Sequence, residues 1–86
     1  SDLRERRTLE VHLRLNWNEI TSENIREMER LFLASQGHCV TRLCVIDEGR
    51  KEVVLKLGKR FSVAPDEQLT DGLSTIFRRN DVVRFL

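Results

Sequence analysis

From Leu9 the chain alternates in character. Leu9, Val11, Leu13, Leu15 and Trp17 fall on one side, and Glu10, His12, Arg14 and Asn16 on the other. A period of two predicts a β-strand with one buried and one wet face. The period then lengthens. Within NEITSENIREMERLFLASQG, residues Ile25, Met28, Leu31, Phe32 and Ser35 recur at helical spacing, so this stretch predicts a helix with a single apolar stripe. Thr21 or Ser22 can accept a hydrogen bond from the first turn, and Ile20 can staple against the helix from just outside it. Glu23–Arg26 and Glu27–Arg30 form pairs on the solvent side, each worth only ~0.2–0.5 kcal/mol. Gly37 stands where a left-handed residue would close the helix.

Two strands follow. CVTRLCVID is rich in β-formers, with Leu43 and Val45 on one face and Cys44 and Ile46 on the other. EGRK supplies a polar turn, and EVVLKL turns Val53, Leu55 and Leu57 inward, which together predict a hairpin. GKR breaks that strand and FSV suggests a short further one. Pro65 sets a second helix start, with Asp66 and Glu67 at the positive end of its dipole. Leu69, Leu73, Ile76 and Phe77 are its buried stripe; Arg78 and Arg79 suit its negative end, and Asn80 in the αL conformation stops it. Gly72 lies inside this helix at a cost of ~1 kcal/mol relative to Ala, which predicts a close approach to the sheet. The remaining DVVRFL is short and β-branched, and reads as a final strand.

The order is therefore β-α-β-β-(β)-α-β. It predicts an α+β two-layer sandwich, a mostly antiparallel sheet of four or five strands with two helices on one face, close to the split βαβ pattern. Residues 9–86 make this one domain, and the charge-dense 1–8, SDLRERRT, reads as a linker or boundary segment.

Composition narrows the chemistry. A chain of 86 residues, 40% hydrophobic and 34% charged, is that of a globular domain rather than a disordered one. Fifteen basic against 14 acidic residues give a net charge of +1, less basic than a domain gripping duplex DNA through many phosphates. No apolar run approaches the ~20 residues of a membrane span. Cys39 and Cys44, set on opposite faces of one strand, read as reduced thiols, and the expected location is the cytoplasm.

No reactive constellation emerges. His12 and His38 lack serine or carboxylate partners at a meaningful spacing. His38, Cys39 and Cys44 supply three candidate ligands where a zinc site takes about four. Gly37, Gly49, Gly58 and Gly72 match no phosphate-binding loop, and Asp47-Glu48 sits at a hairpin tip where charge is solvated. The expectation is no catalytic residue, cofactor, metal or small-molecule substrate. Two binding readings remain. His12, Arg14, Arg42, Lys56 and Arg84 would form a basic sheet face for nucleic acid, but Trp17 and the four Phe mostly fall on core-facing positions, leaving no stacking platforms. Weak contact with a nucleic-acid backbone stays open. The other reading is protein–protein interaction through an exposed strand edge or the apolar terminus.

Taken together, TLEVHLRLNW, the helix closing on LASQG, VTRLCVIDEGRKEVVLKLGKRFSVAPDEQL and the helix leading to NDVVRF resemble one known family. From about Leu9 to Leu86 the chain is similar to the C-terminal tail domain of the bacterial replicative DNA polymerase III alpha subunit. Such tails commonly carry a proline before the glycine that ends the first helix, where this chain has Gln36. The resemblance implies a non-catalytic domain that tethers the polymerase to the tau subunit of the clamp loader, in a cytoplasmic, nucleoid-associated setting. The expected docking residues are Arg78, Arg79, Val82, Val83, Arg84, Phe85 and Leu86.

Overall fold

The computed structural model describes residues 10–86; Leu9 and the 1–8 boundary segment lie outside them. Strand β1 (Glu10–Asn16) runs to a short 3-10 turn, Trp17–Glu19, because Glu19 accepts the Asn16 N–H at 2.8 Å and draws the chain out of the ladder. Trp17, expected on the buried face, has left the strand by one residue and is 48% exposed. Helix α1 (Ser22–Ala34) then starts at Thr21, whose hydroxyl accepts the Asn24 N–H at 3.1 Å. Ile20, expected to staple this start, is exposed instead.

Strand β2 (Gln36–Ile46) lies parallel to β1, and β3 (Glu52–Lys56) returns antiparallel to β2. After a 3-10 turn at Lys59–Phe61 comes α2 (Glu67–Phe77), capped by Asp66, whose carboxylate accepts the Leu69 N–H at 3.0 Å. Pro65 thus precedes the cap rather than opening the helix. Strand β4 (Val83–Phe85) pairs antiparallel with β1. The sheet order is β3-β2-β1-β4, an α+β fold in which one parallel pairing is flanked by two antiparallel ones.

The core forms where the helix stripes meet one sheet face. Val11, Leu13 and Leu15 are fully buried against Met28, Phe32, Leu69, Leu73 and Phe77. Val63 and Thr41 complete it, the Thr41 hydroxyl donating to the Phe61 carbonyl at 2.6 Å. FSV does not become a regular strand: Val63 makes only isolated bridges to Gln36 and Cys39.

Both informative glycines act by close approach. Gly37 is not left-handed, since no described glycine has positive φ. A Cβ there would lie 2.5 Å from the Ala64 nitrogen, in a crossing held by Gly37 N–H to Ser62 O at 3.2 Å and Ala64 N–H to Ser35 O at 2.8 Å. A Cβ on Gly72 would lie 2.6 Å from a Leu31 methyl, so the surface it approaches is α1 and not the sheet. The left-handed stop of α2 is Arg78 (φ 57°), two residues before Asn80.

One expectation about burial fails at β3. Register places Val53 opposite Val45 and Leu55 opposite Leu43, on the helix side as predicted, yet they are 56% and 48% exposed. β3 is the edge of the sheet, and every residue along it is exposed. Leu57, just beyond it, does pack against the core.

Candidate interaction surface

The helices leave the second sheet face open, and register organises it. β1 pairs His12 with Arg42, β4 pairs Arg84 with His12, and β3 pairs Lys56 with Arg42. Arg84, His12, Arg42 and Lys56 therefore form one line across all four strands, ~15 Å long at ~4.8 Å per strand. Arg14 occupies the next line with Cys44 and Val54. The five residues expected on one basic face are brought together.

That face is partly neutralised from within. Glu10 Oε1 lies 2.8 Å from His12 Nε2 and accepts from Arg42 Nε at 3.1 Å. The His12 hydrogen bond chiefly, with Arg42 adding to it, holds the Glu10 carboxyl below its usual range. Arg14 reaches Glu52 at 3.6 Å, both well exposed. Lys56 and Arg84 make no ion pair with the described residues, so the two ends of the line carry its outward-facing charge.

The terminal segment divides by role. Arg79 donates from Nε and Nη2 to the two Glu19 carboxylate oxygens at 3.0 and 2.8 Å, from Nη1 to Asp81 at 2.7 Å, and from Nη2 to the Arg14 carbonyl at 2.6 Å. This is a two-pronged guanidinium–carboxylate pair with two further bonds, the strong form of such contacts. It ties the end of α2 to the end of β1. The Arg79 hydrogen bond holds the Glu19 and Asp81 carboxyls below the usual range, and Arg79 in turn holds its proton more tightly than usual.

Of the seven expected docking residues, Arg79 and Val82 are framework: the first is this latch, the second is 2% exposed in the core. Val83 and Phe85 are half-buried toward the helices, opposite Leu13 and Val11. Arg78, Arg84 and Leu86 reach solvent. Pairing continues past β4 through Glu10 N–H to Leu86 O at 3.0 Å and Leu86 N–H to Glu10 O at 2.9 Å, so the end is pinned on one side only. Beside it lies an open groove of about 510 Å³, lined by His12, Arg14, Cys44, Val83, Arg84 and Leu86 among others.

The thiols separate as predicted. Cys39 is buried on the core side, where desolvation raises its pKa, and Cys44 is on the open face. His38 Nε2 is 3.6 Å from Cys39 Sγ, and Cys44 lies five residues further along β2 on the face opposite Cys39. Among the described residues no group of three His, Cys, Asp or Glu is placed to hold a metal ion.

Sequence pattern missed the exposed Trp17 and the bare β3 edge. For β3 the signal was present: Val53-Val54-Leu55 is apolar on consecutive positions, so one of the two faces must present apolar side chains away from the core. Comparison of the chain with protein-family models, curated proteins and solved structures gave no match. Among the described residues no helix is long and apolar enough to cross a membrane.

Proposed function

We propose that this chain is a non-catalytic docking domain, the tail of a replicative DNA polymerase III alpha subunit, that binds the tau subunit of the clamp loader. The observation that carries the reading is the β4 edge. It is one bond-row from solvent, it sets Arg84 and Leu86 outward, and it borders an open groove. A partner segment can add to such an edge through main-chain hydrogen bonds, with side chains seated in the groove for specificity. The polymerase context itself rests on the resemblance of the sequence.

Removing the segment would strip Val82 from the core, so substitutions at its two solvent-facing residues are the cleaner test. Titration of tau into the R84E/L86D variant should show at least a ~10-fold loss of affinity, with a melting temperature close to that of the parent. Unchanged affinity would remove the β4 edge from the interface, and no binding by the parent chain would remove tau as the partner.

A second reading is favoured by the line Arg84–His12–Arg42–Lys56, whose two ends, Arg84 and Lys56, carry positive charge that a nucleic-acid backbone can meet. Binding of single-stranded oligonucleotides would then weaken with salt at a log–log slope of about −0.7 per phosphate engaged. A flat salt response would discard it.

A further inference from the structure

The exposed β3 strand has the sequence Glu52-Val53-Val54-Leu55-Lys56, and its order is self-complementary. Let two copies meet edge to edge, antiparallel, about a twofold axis through Val54. Glu52 of each then stands opposite Lys56 of the other, Val53 opposite Leu55, and Val54 opposite itself. Both charges find the opposite sign and the three apolar positions meet one another.

The backbone agrees with that axis. Leu57 N–H donates to Thr41 O at 2.9 Å and Asp47 N–H to Lys51 O at 3.0 Å, which sets the phase of the β2–β3 ladder. Main-chain groups alternate inward and outward along an antiparallel strand. Leu57, Leu55, Val53 and Lys51 therefore spend theirs on β2, and Lys56, Val54 and Glu52 point theirs at the free edge. With those three facing outward, an axis through Val54 makes Val54–Val54 and the two Glu52–Lys56 positions hydrogen-bonded pairs, so the phase is compatible with the register that the charge pairing selects.

We infer that β3 is a homodimerisation edge, joining two copies into a continuous eight-stranded sheet through Val54–Val54 and reciprocal Glu52–Lys56 pairs. Edge strands are ordinarily blunted by proline, a bulge or an inward-pointing charge. β3 has none of these in its centre, and its three central side chains are about half exposed on both faces. The opposite edge is unsuited to the same use: an antiparallel twofold at β4, Val83-Arg84-Phe85, sets Arg84 against Arg84. A five-residue edge is a small interface, so the dimer belongs to the weak, concentration-dependent class. It leaves the β4 edge accessible, and so stands or falls separately from tau binding.

The test is sedimentation velocity of the 86-residue chain over a rising concentration series. The parent should pass from monomer to dimer and go no further, because a twofold edge closes on itself. K56E sets Glu against Glu twice, and E52K sets Lys against Lys twice; each should weaken association ~10-fold or more. An equimolar mixture of the two should associate again, since both acidic positions of one variant then face both basic positions of the other across the heterodimer. K51E, outside the paired positions, should behave as the parent. A monomeric parent throughout the series, association that K56E leaves unchanged, or a mixture no stronger than either variant alone would each overturn the inference. Circular dichroism of each variant, matching the parent, ties any loss to the edge rather than to folding.

Discussion

β3 and β4 are the two edges of one sheet, built of similar residues and each paired on a single side. At β4 the helices reach the edge: Val82 is in the core, Val83 and Phe85 pack against it, and the Arg79 latch holds the approach from α2. At β3 nothing covers the strand, and Val53 and Leu55 project on the helix side into solvent. The difference lies in position and not in pattern. Two helices of 13 and 11 residues crossing a four-stranded sheet cover β4, β1 and β2, and leave the fourth strand bare. A small domain buries only ~60–65% of its unfolded surface, and here the shortfall is concentrated at one edge.

The sharpest way to break this comparison uses one transverse line. Val83, Leu13, Leu43 and Leu55 lie in register across all four strands on the helix side, and Leu13, Leu43 and Leu55 are 0%, 6% and 48% exposed. Leu13→Ala and Leu43→Ala should each cost about 2–5 kcal/mol in urea denaturation, because transfer and cavity terms add where neighbours cannot close in. A cost below ~1 kcal/mol for Leu13→Ala would mean that the helix layer is not packed on β1.

The β4 side carries a second, electrostatic hold. Arg79→Ala removes four hydrogen bonds and leaves Glu19, 18% exposed at its side chain, without its main partner. A loss of about 2 kcal/mol is expected, from an unpaired and partly buried charge. A double-mutant cycle with Glu19→Gln should return most of that energy as coupling. Additive losses would mean that Arg79 acts through the Arg14 carbonyl and Asp81 instead.

The same latch sets a pH dependence. The folded-state pKa of Glu19 is depressed, by the Arg79 hydrogen bond first. Its contribution is therefore present above the unfolded value of about 4.3 and is lost as pH falls through the lower folded value. Glu10 and Asp81 are shifted the same way. The melting temperature should be level near neutrality and fall below about pH 4.5, with a shallower fall in Glu19→Gln. Equal slopes in parent and variant would place the acid-sensitive pairs elsewhere.

Element types are legible because periodicity is a local signal. The alternation from Val11 to Leu15 and the stripes Met28/Phe32 and Leu69/Leu73/Phe77 come out as a strand and two helices. What escapes is what depends on distant partners. Alternation puts Val53 and Leu55 on the correct side, but it cannot say whether anything lies over that side. Arg79 reads locally as a helix-dipole residue, and its partner Glu19 is 60 residues away. The basic line is legible as a list of wet-face residues; its being a single line needs the register of three strand pairings. Arg78 takes the left-handed stop in place of Asn80, against local preference, and the residue that follows it, Arg79, is the one bonded to Glu19.

Leu55→Thr is the gentlest intervention and the most discriminating. Threonine is β-branched and favours a strand, and a side chain already 48% exposed has little apolar burial left to lose. Its cost to the monomer should be within about 0.5 kcal/mol, several-fold below that of Leu13→Ala in the same line. Its effect on self-association should be larger than its effect on folding, because Leu55 meets Val53 of the second copy only in the dimer. A cost rivalling that of Leu13 would show that β3 is roofed after all. In that case the two edges would be alike, and the apolar run at Val53–Leu55 would be ordinary core.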